Sequence, residues 1–195
     1  MIAIIDYDMG NLCSVGNALG RLGCEYVLTS DPEVIRRADK VLLPGVGNAA
    51  EAMANLRKRG LCDVIRSLRQ PVLGICVGLQ VMCRDSEEGN VSCLGIFDAH
   101  VRKFDPAPDA KVPHMGWNSL GNLEGKLFKG IENGGFVYFV HSYYPTLCQD
   151  TAATSRHGDR LFSAALRWEN FYGTQFHPEK SGELGEQILK NFVSL

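Results

Sequence analysis

One cysteine of this chain has a sequence environment suited to nucleophilic chemistry. Cys76 is the centre of the pentapeptide G-I-C-V-G, residues 74–78, where an apolar segment passes into a helical pattern. A glycine-flanked residue between strand and helix is typical of a nucleophile elbow, and the positive end of the helix favours a thiolate. The pattern predicts a nucleophilic Cys76, although by itself it fits a buried structural cysteine equally well.

A thiolate nucleophile needs a base, and the best candidate among the five histidines is His177. It precedes Pro178 and Glu179 at the end of a predicted strand, and residues two apart in extended backbone project to the same side. Glu179 is therefore expected to lie beside His177 and to accept its imidazole N–H. Taken alone, the segment also fits a surface histidine and glutamate after an edge strand. Together with Cys76 it predicts a Cys-His-Glu triad.

A glycine loop, P-G-V-G at residues 44–47, follows another apolar segment. Open parallel sheets place their sites at the carboxyl ends of the strands. Acyl chemistry at Cys76 would create an oxyanion, and we expect two backbone N–H groups to hold it, that of Val77 and that of Val46 or Gly47. The loop is neither a dinucleotide fingerprint nor a P-loop, because it lacks both G-x-G-x-x-G and G-K-[ST].

Alternating strands and helices must position these residues. Apolar segments predict strands at 1–5, 24–28, 41–43 and 72–75, of which the first and third are expected to be buried. Each is followed by a helical pattern, with Asp31 as the cap of the helix that begins at Pro32. Later extended segments, at 94–104, 136–144, 161–168 and 171–176, predict antiparallel strands. A last helix is expected after Ser181 as its cap, and the proline-rich segment 104–109 is expected to be a surface loop. These elements predict an α/β fold, a three-layer open mixed sheet with a mostly parallel core and antiparallel additions, in a single domain over residues 1–195.

The composition of the 195 residues excludes several classes of function. Lys plus Arg number 20 and Asp plus Glu number 22, so the net charge of -2 gives no reason to expect a nucleic-acid or membrane partner. No segment has the length of a membrane span or the pattern of a signal peptide, which predicts a cytoplasmic protein. The seven cysteines form no C-x-x-C pair, and we expect reduced, mostly buried thiols, with no metal site and no cofactor.

Several motifs together resemble a known family. G-I-C-V-G-L-Q around Cys76, the P-G-V-G loop and the H-P-E triplet at 177–179 are similar to class I glutamine amidotransferases. V-P-H-M-G-W-N at 112–118, Y-F-V-H-S-Y at 138–143 and Q-F-H-P-E-K-S-G at 175–182 resemble, more narrowly, the glutaminase subunits of imidazole glycerol phosphate synthases. The resemblance spans essentially the whole chain. Two short segments depart from it: Asp8-Met9, where a glycine is common, and residues 48–50 after the glycine loop.

The resemblance implies hydrolysis of L-glutamine to glutamate and ammonia through a cysteinyl thioester, with a class I glutamine amidotransferase fold. Cys76 would attack the carboxamide, His177 would move the proton, and Glu179 would orient His177. The resemblance also implies a glutamine pocket, in which Glu88 would meet the substrate's ammonium group, although ordinary packing remains an alternative for Gln80 and Tyr143. The implied pocket residues are Gly45, Gly47, Gln80, Glu88, Ser142 and Tyr143.

The resemblance further implies a heterodimer with a (β/α)8-barrel cyclase subunit. That subunit would consume the ammonia in making imidazole glycerol phosphate, for histidine, and an aminoimidazole carboxamide ribonucleotide. The residues that match partner-facing positions are Asn11, Trp117, Tyr138 and Lys180.

Three other functions remain open at this point. A paralogous glutaminase could supply ammonia to a sugar-modifying synthase and keep the same triad. A peptidase or redox-type cysteine hydrolase of the same general fold would also use a cysteine at an elbow, but the acid two residues beyond the histidine favours the amidotransferase. A non-catalytic binding scaffold would not need Cys76, His177 and Glu179 all to be present.

Overall fold

Helices and strands alternate in the first part of the chain, and strands dominate the second. A computed structural model describes residues 1–107 and 110–195. The first elements are β1 (Ile2–Ile5), α1 (Leu12–Arg21), β2 (Tyr26–Thr29), α2 (Pro32–Arg37), β3 (Lys40–Gly45), α3 (Ala49–Lys58), α4 (Leu61–Ser67), β4 (Val72–Cys76) and α5 (Val77–Gln80). They are followed by β5 (Asp85–Ser86), β6 (Val91–Ser92), β7 (His100–Lys103), β8 (His114–Ser119), β9 (Phe136–His141), β10 (Tyr143–Pro145), β11 (Thr151–His157), β12 (Arg160–Trp168), β13 (Phe171–Thr174) and α6 (Gly182–Val193).

The main sheet has seven strands in the order β11-β12-β13-β4-β3-β1-β2. The five strands from β13 to β2 are parallel, and β12 and β11 are antiparallel at one edge. Strands β1, β3 and β4 carry nearly uninterrupted apolar sequence and are buried almost throughout, as parallel strands covered on both faces must be. The register pairs Gly45 of β3 with Cys76 of β4, so both predicted site segments reach the carboxyl edge of the sheet.

Helices cover both faces of this sheet. The crossover from β1 to β2 advances in one direction across the sheet, whereas those from β2 to β3 and from β3 to β4 advance in the other. Because such crossovers are right-handed, α1 lies on one face and α2, α3 and α4 on the other. The predicted three-layer, mostly parallel α/β architecture is confirmed. Within the described residues, no helix combines the length and the apolar character needed to span a bilayer.

Two smaller sheets lie beside the main one. Strands β10, β7, β5 and β6 form a four-stranded sheet, and β8 and β9 form an antiparallel ribbon. The predicted strands near 94–104 and 136–144 therefore lie outside the main sheet. The prediction of an antiparallel strand at 171–176 is wrong with respect to β4: β13 is antiparallel to β12 but parallel to β4, because the β12–β13 turn reverses the chain.

Five elements were not predicted: the two-residue strands β5 and β6, and three longer elements with weak sequence signals, α4, β8 and β11. Helix α4 has only seven residues and starts after Gly60, which occupies the left-handed region with φ of 66°. Strand β8 contains Gly116 and polar residues, and β11 is built mainly from small and polar residues. Their pairing and packing partners, rather than intrinsic propensity, determine their structure.

The proline-rich segment 104–109 is only partly a surface loop. Phe104 is 3% exposed, and its ring lies 4.3 Å from that of Tyr144, centroid to centroid. The surface prediction is therefore wrong at Phe104, because burial of an aromatic side chain outweighs the loop tendency of its neighbours. Pro108 and Asp109 lie outside the described residues.

All seven cysteines are free thiols, but the prediction that most are buried is wrong. Cys76, Cys83 and Cys93 are buried, Cys24, Cys62 and Cys148 are half-buried, and Cys13 is exposed. Burial raises the pKa of Cys83 well above its ordinary value and that of Cys93 to about 12. These two thiols stay protonated at neutral pH and are poor nucleophiles.

Candidate active site

Cys76 lies on a strained turn at the carboxyl end of β4. Its φ of 56° and ψ of -112° place a non-glycine residue where side chains are rarely tolerated, and its surface is 5% exposed. The two glycines beside it are needed for close backbone approach. A Cβ on Gly78 would lie 1.7 Å from the carbonyl oxygen of Leu43, and a Cβ on Gly74 would lie 2.7 Å from that of Gly78.

The helix that follows Cys76 is much shorter than expected. Helix α5 has four residues, and Val81 is its C-cap, although the apolar pattern continues beyond it. A single turn carries a smaller dipole than a full helix, so it contributes less to thiolate stability than the sequence suggested. Two other polar groups lie near the sulfur: Gln175 Nε2 at 3.7 Å and the Val140 carbonyl oxygen at 3.9 Å from Sγ.

His177 and Glu179 form a buried pair, with 2.8 Å between Nδ1 and Oε1. Both side chains are no more than 2% exposed. The expected reason for their proximity is wrong, because the strand ends at Thr174 and residues 178–180 form a 3-10 turn. The turn, rather than extended backbone, brings the carboxylate back to the ring.

The backbone of His177 is held by the β9 strand. Its N–H donates to the Tyr138 carbonyl oxygen at 3.0 Å, and its own carbonyl oxygen accepts from Ser181 Oγ at 2.6 Å. Ser181 Oγ also accepts from the Tyr138 N–H. Ser181 precedes α6 but makes no cap hydrogen bond to it, so the prediction that this side chain caps the helix is wrong. The hydroxyl is used by His177 and Tyr138 instead.

The charge state of His177 is set by its two neighbours. Burial alone would lower the pKa of His177, but the interactions with Cys76 and Glu179 outweigh it and raise that pKa to about 10. Among the described residues, His177 Nε2 makes no hydrogen bond of normal geometry, so its attraction to the sulfur is electrostatic in this geometry. Both neighbours therefore favour the imidazolium form of His177.

A cavity of about 290 Å³ opens over Cys76. The predicted residues that line it are Val46, Gly47, Cys76, Val77, Gln80, Glu88, Ser142, Tyr143, His177 and Lys180. Gly45 is not among its lining residues. Instead, a Cβ at Gly45 would lie 2.6 Å from Tyr7 Oη and 2.7 Å from the Gly78 nitrogen, so this glycine is required by packing behind the cavity.

The side chain of Glu88 reaches the N-terminal end of α3, where its Oε2 accepts from the Ala49 N–H at 2.8 Å. Partial burial raises the pKa of Glu88, and the hydrogen bond from Ala49 opposes that shift. The carboxylate is thus anchored on one side and faces the cavity on the other.

The two segments that depart from the family pattern have clear local roles. Asp8 occupies the left-handed region with φ of 66°, a conformation that aspartate tolerates better than most residues, and its carboxylate pairs with Arg59. Asn48 is the N-cap of α3, and its Oδ1 accepts from the N–H groups of Ala50 and Glu51. Both departures therefore keep the backbone geometry of the loop.

The four residues matched to a partner surface lie close to one another. Trp117 is 56% exposed, and its ring contacts Tyr138 edge-to-face at 6.1 Å between centroids. Lys180, in the 3-10 turn, is exposed at the cavity rim. Helix α1, whose N-cap is Asn11, contacts the same turn. Met115 and Phe136 are also exposed on the β8–β9 ribbon, which makes this surface unusually apolar.

Sequence analysis missed a buried polar chain beside the cavity. His141 donates from Nδ1 to the Tyr143 carbonyl oxygen at 2.7 Å, which leaves its Nε2 to accept from His114 Nδ1 at 2.9 Å. His114 Nε2 in turn accepts from Asn118 Nδ2 at 3.1 Å. Gln175 was missed as well, although it directly precedes the predicted Phe176-His177 end of the strand. Alternating polar residues in V-P-H-M-G-W-N and Y-F-V-H-S-Y were the available signal.

We expect this histidine pair to make the protein sensitive to acid. Burial, reinforced by neighbouring histidines, lowers the pKa of His114 to about 4 and that of His141 to about 3. The unfolded chain binds more protons below pH 6.5, so stability is complete above that pH and is lost as the pH falls toward these values. At pH 5 each histidine costs about 2 kcal/mol of unfolding free energy.

The measurement is urea unfolding at pH 7 and at pH 5. His114→Gln cannot be protonated and is expected to lose about half of the difference between the two pH values. His100→Gln, at a half-exposed histidine of β7 that pairs with Asp85, is the comparison variant and should keep more of the difference than His114→Gln. An unfolding free energy of the unaltered chain that is the same at both pH values would contradict the assignment.

Within residues 1–107 and 110–195, no group of three or more His, Cys, Asp or Glu side chains is placed to hold a metal ion. The site that these residues form is a buried thiol, a buried imidazole–carboxylate pair, and a cavity of mixed apolar and polar lining between them and solvent. This arrangement suits acyl transfer to sulfur.

Comparisons with known proteins describe the same kind of molecule. The family model of class I glutamine amidotransferases matches residues 3–195. The chain is 57% identical over 195 residues to the imidazole glycerol phosphate synthase subunit HisH of Bacteroides fragilis, covering 100% of this chain and 99% of that protein. It is 46% identical over 196 residues to the subunit of the same name from Escherichia coli K12, with the same coverage. A crystal structure of a glutamine amidotransferase, 20% identical, matches with a TM-score of 0.72 over 100% of this chain and 98% of that one, which bears on the fold alone.

Proposed function

Because the chain belongs to the class I glutamine amidotransferase family, we propose that it hydrolyses L-glutamine at Cys76 as the glutaminase subunit of an imidazole glycerol phosphate synthase. Relatives with that subunit name are 45–57% identical to it over essentially their whole length. The chain is thus an enzyme of histidine biosynthesis and one subunit of a complex. The observation that carries the mechanism is the buried His177–Glu179 pair beside Cys76 at the floor of the cavity.

The proposed reaction uses the charge state of the pair. Cys76 Sγ attacks the carboxamide carbon of glutamine, and the carbonyl becomes an oxyanion. His177 then donates its Nε2 proton to the departing nitrogen, which leaves as ammonia and yields a glutamyl thioester. His177 Nε2 next takes a proton from water, and the oxygen of that water attacks the thioester and releases glutamate. Glu179 holds the ring in the required tautomer throughout.

We propose that backbone N–H groups stabilise the oxyanion. Val77 follows Cys76 directly, and Val46 and Gly47 also line the cavity. Gly47 has φ of 89°, so its peptide adopts an orientation that a larger residue disfavours. Around the same cavity, Glu88 would accept from the substrate's ammonium group, and Gln80, Ser142 and Tyr143 would complete the pocket.

The partner we propose is a (β/α)8-barrel cyclase subunit, which would dock on the surface around Trp117. Lys180 belongs both to this surface and to the cavity lining, so ammonia would leave the site toward the partner. Such a route matters because ammonia released into neutral water is mostly protonated and no longer nucleophilic. We also propose a cytoplasmic location, where free thiols stay reduced.

The alternatives are less well supported. No relative cited above is named for a sugar-modifying pathway, a peptidase or a redox hydrolase. A binding scaffold would not require a raised His177 pKa beside a strained cysteine. The histidine-pathway glutaminase therefore accounts for more of the observations than each alternative does.

The direct test is covalent labelling with a chloroketone analogue of glutamine in the assembled complex. We expect one adduct, at Cys76, and we expect excess L-glutamine to slow its formation, because the analogue must enter the cavity first. Peptide mass analysis locates the adduct.

Cys13 provides an internal control, because it is exposed and far from the cavity lining. Iodoacetamide should alkylate it at the same rate with and without glutamine. An analogue adduct at another cysteine, or labelling of Cys76 that glutamine does not slow, would refute the proposed function.

A further inference from the structure

Two buried glutamine side chains connect the wall of the cavity to the sulfur of Cys76. Gln80 is 2% exposed and Gln175 is fully buried. Gln80 Nε2 donates to the Tyr143 carbonyl oxygen at 3.1 Å and to Gln175 Oε1 at 2.9 Å. Gln175 Nε2 lies 3.7 Å from Cys76 Sγ, within the range of a hydrogen bond to sulfur.

The direction of these hydrogen bonds is fixed by one backbone atom. A carbonyl oxygen only accepts, so Gln80 must turn its NH2 group toward Tyr143. The same NH2 group meets Gln175, which must therefore present its oxygen there. The other end of the Gln175 amide, its NH2, is then the end that faces Cys76. A Gln175 amide whose ends were exchanged would place its NH2 group against the NH2 group of Gln80, where no hydrogen bond forms.

The Tyr143 carbonyl is itself well anchored. It also accepts from His141 Nδ1 at 2.7 Å, so two donors converge on it from different elements. Both protons of the Gln80 NH2 group are used by Tyr143 and Gln175. Only the oxygen of Gln80 is left for a ligand in the cavity.

We propose that Gln175 is a further catalytic residue, which donates an N–H to Cys76 Sγ, and that Gln80 is a positioning residue that keeps this end of the amide on the sulfur. A donor directed at sulfur stabilises the negative form over the neutral thiol. It also draws Sγ away from the competing Val140 carbonyl oxygen, which attracts only the protonated thiol. This role rests on the proposed function of Cys76 and adds a residue outside its triad.

The proposal requires Gln175 to act on the nucleophile and not on substrate binding. Gln175 is not among the residues that line the cavity, whereas Gln80 is. Loss of the Gln175 donor should therefore lower kcat and leave KM for glutamine nearly unchanged. Loss of Gln80 should affect both quantities.

The test uses Gln175→Met and Gln175→Glu in the complex with the cyclase. Methionine keeps the length of the side chain without an N–H, and glutamate places a carboxylate oxygen against the sulfur. We expect alkylation of Cys76 by iodoacetamide at pH 7 to slow about 10- to 100-fold in Gln175→Met, the effect of one hydrogen bond to a charged group, and further in Gln175→Glu. Glutamine-dependent kcat should fall by a similar factor, with KM changed less than about threefold.

Several controls separate this role from a structural one. Cys13 alkylation in the same samples should not change, nor should the ammonia-dependent reaction of the complex. Gln187→Glu, at an exposed glutamine of α6, should behave like the unaltered chain. If Gln175→Met does not fold, Gln80→Glu provides the second measurement, because its carboxylate would turn the Gln175 amide and bring oxygen to the sulfur.

The outcomes are distinct. Alkylation of Cys76 at an unchanged rate in Gln175→Met, or in Gln80→Glu where that variant is the one measured, would overturn the proposal. So would a parallel loss of glutamine-dependent and ammonia-dependent activity, since that would indicate a packing role. Failure of the glutamine analogue to label Cys76 in the unaltered chain would instead overturn the proposed function itself.

Discussion

Cys76→Ala is expected to lower glutamine-dependent formation of imidazole glycerol phosphate by a factor on the order of 10⁵, as loss of a catalytic nucleophile does. The ammonia-dependent reaction of the same complex should stay within about twofold of normal, because the partner's chemistry does not involve this sulfur. Alanine fits the site, since Cys76 already carries a Cβ at its unusual φ. The measurement is product formation with glutamine or with an ammonium salt as nitrogen donor.

Cys13→Ala is the matched control for this result. It removes a thiol from the exposed surface of α1 and should leave both reactions unchanged. Loss of the ammonia-dependent reaction in Cys76→Ala would show that the residue has a structural role, and retention of the glutamine-dependent reaction would show that another group is the nucleophile. If the complex forms no imidazole glycerol phosphate with either glutamine or the ammonium salt, that result would count against the proposed partner.

Gly78→Ala is expected to destabilise the protein by more than about 4 kcal/mol, which places it among the most damaging single substitutions. The new Cβ would lie 1.7 Å from the Leu43 carbonyl oxygen, and neither atom can rotate away, because the backbone fixes both positions. Helix α5 would have to move away from β3 beside the turn that carries Cys76. Equilibrium urea unfolding measures the loss.

Gly20→Ala is the control for the same chemical change. Gly20 lies in α1 with no heavy atom within 4 Å of a Cβ built on it, so alanine should stabilise the helix by about 0.5–1 kcal/mol. A Gly78→Ala protein as stable as the unaltered chain would mean that β3 and α5 do not approach as closely as described.

The parallel core was predictable because its signals are local and repeated. Its strands are short apolar segments followed by helices, and α2 has a recognisable cap in Asp31, whose Oδ1 accepts from the Glu33 N–H at 2.8 Å. The glycines around Cys76 likewise indicate that backbone segments approach closely there. These signals come from residues close together in the sequence, so they can be recognised from one sequence alone.

The second part of the chain was harder to predict because its structure depends on distant contacts. The sequence of β8 does not distinguish an exposed ribbon from a buried strand, and Trp117 would be expected inside by composition alone. Gln175 is separated from Cys76 by 99 positions, and His114 from His141 by 27. No periodicity reveals which polar side chains will meet across such separations.

The sequence predicted that Cys76, His177 and Glu179 lie together, as they do, but not the backbone path that joins them. His177 and Glu179 meet through a 3-10 turn, and Gly45 supports the loop from behind rather than lining the cavity. Motifs indicate which residues share a site, whereas the route of the backbone decides how each one reaches it.

The attachment of His177 to β9 has a mechanical consequence. The sulfur stands on the large central sheet, but the ring that serves it is tied through Tyr138 and Ser181 to the small ribbon that displays Trp117. A force on that ribbon would act on the same peptide groups that orient the imidazole of His177. Docking of the proposed partner on this ribbon would therefore act on the same peptide groups that position the proton donor.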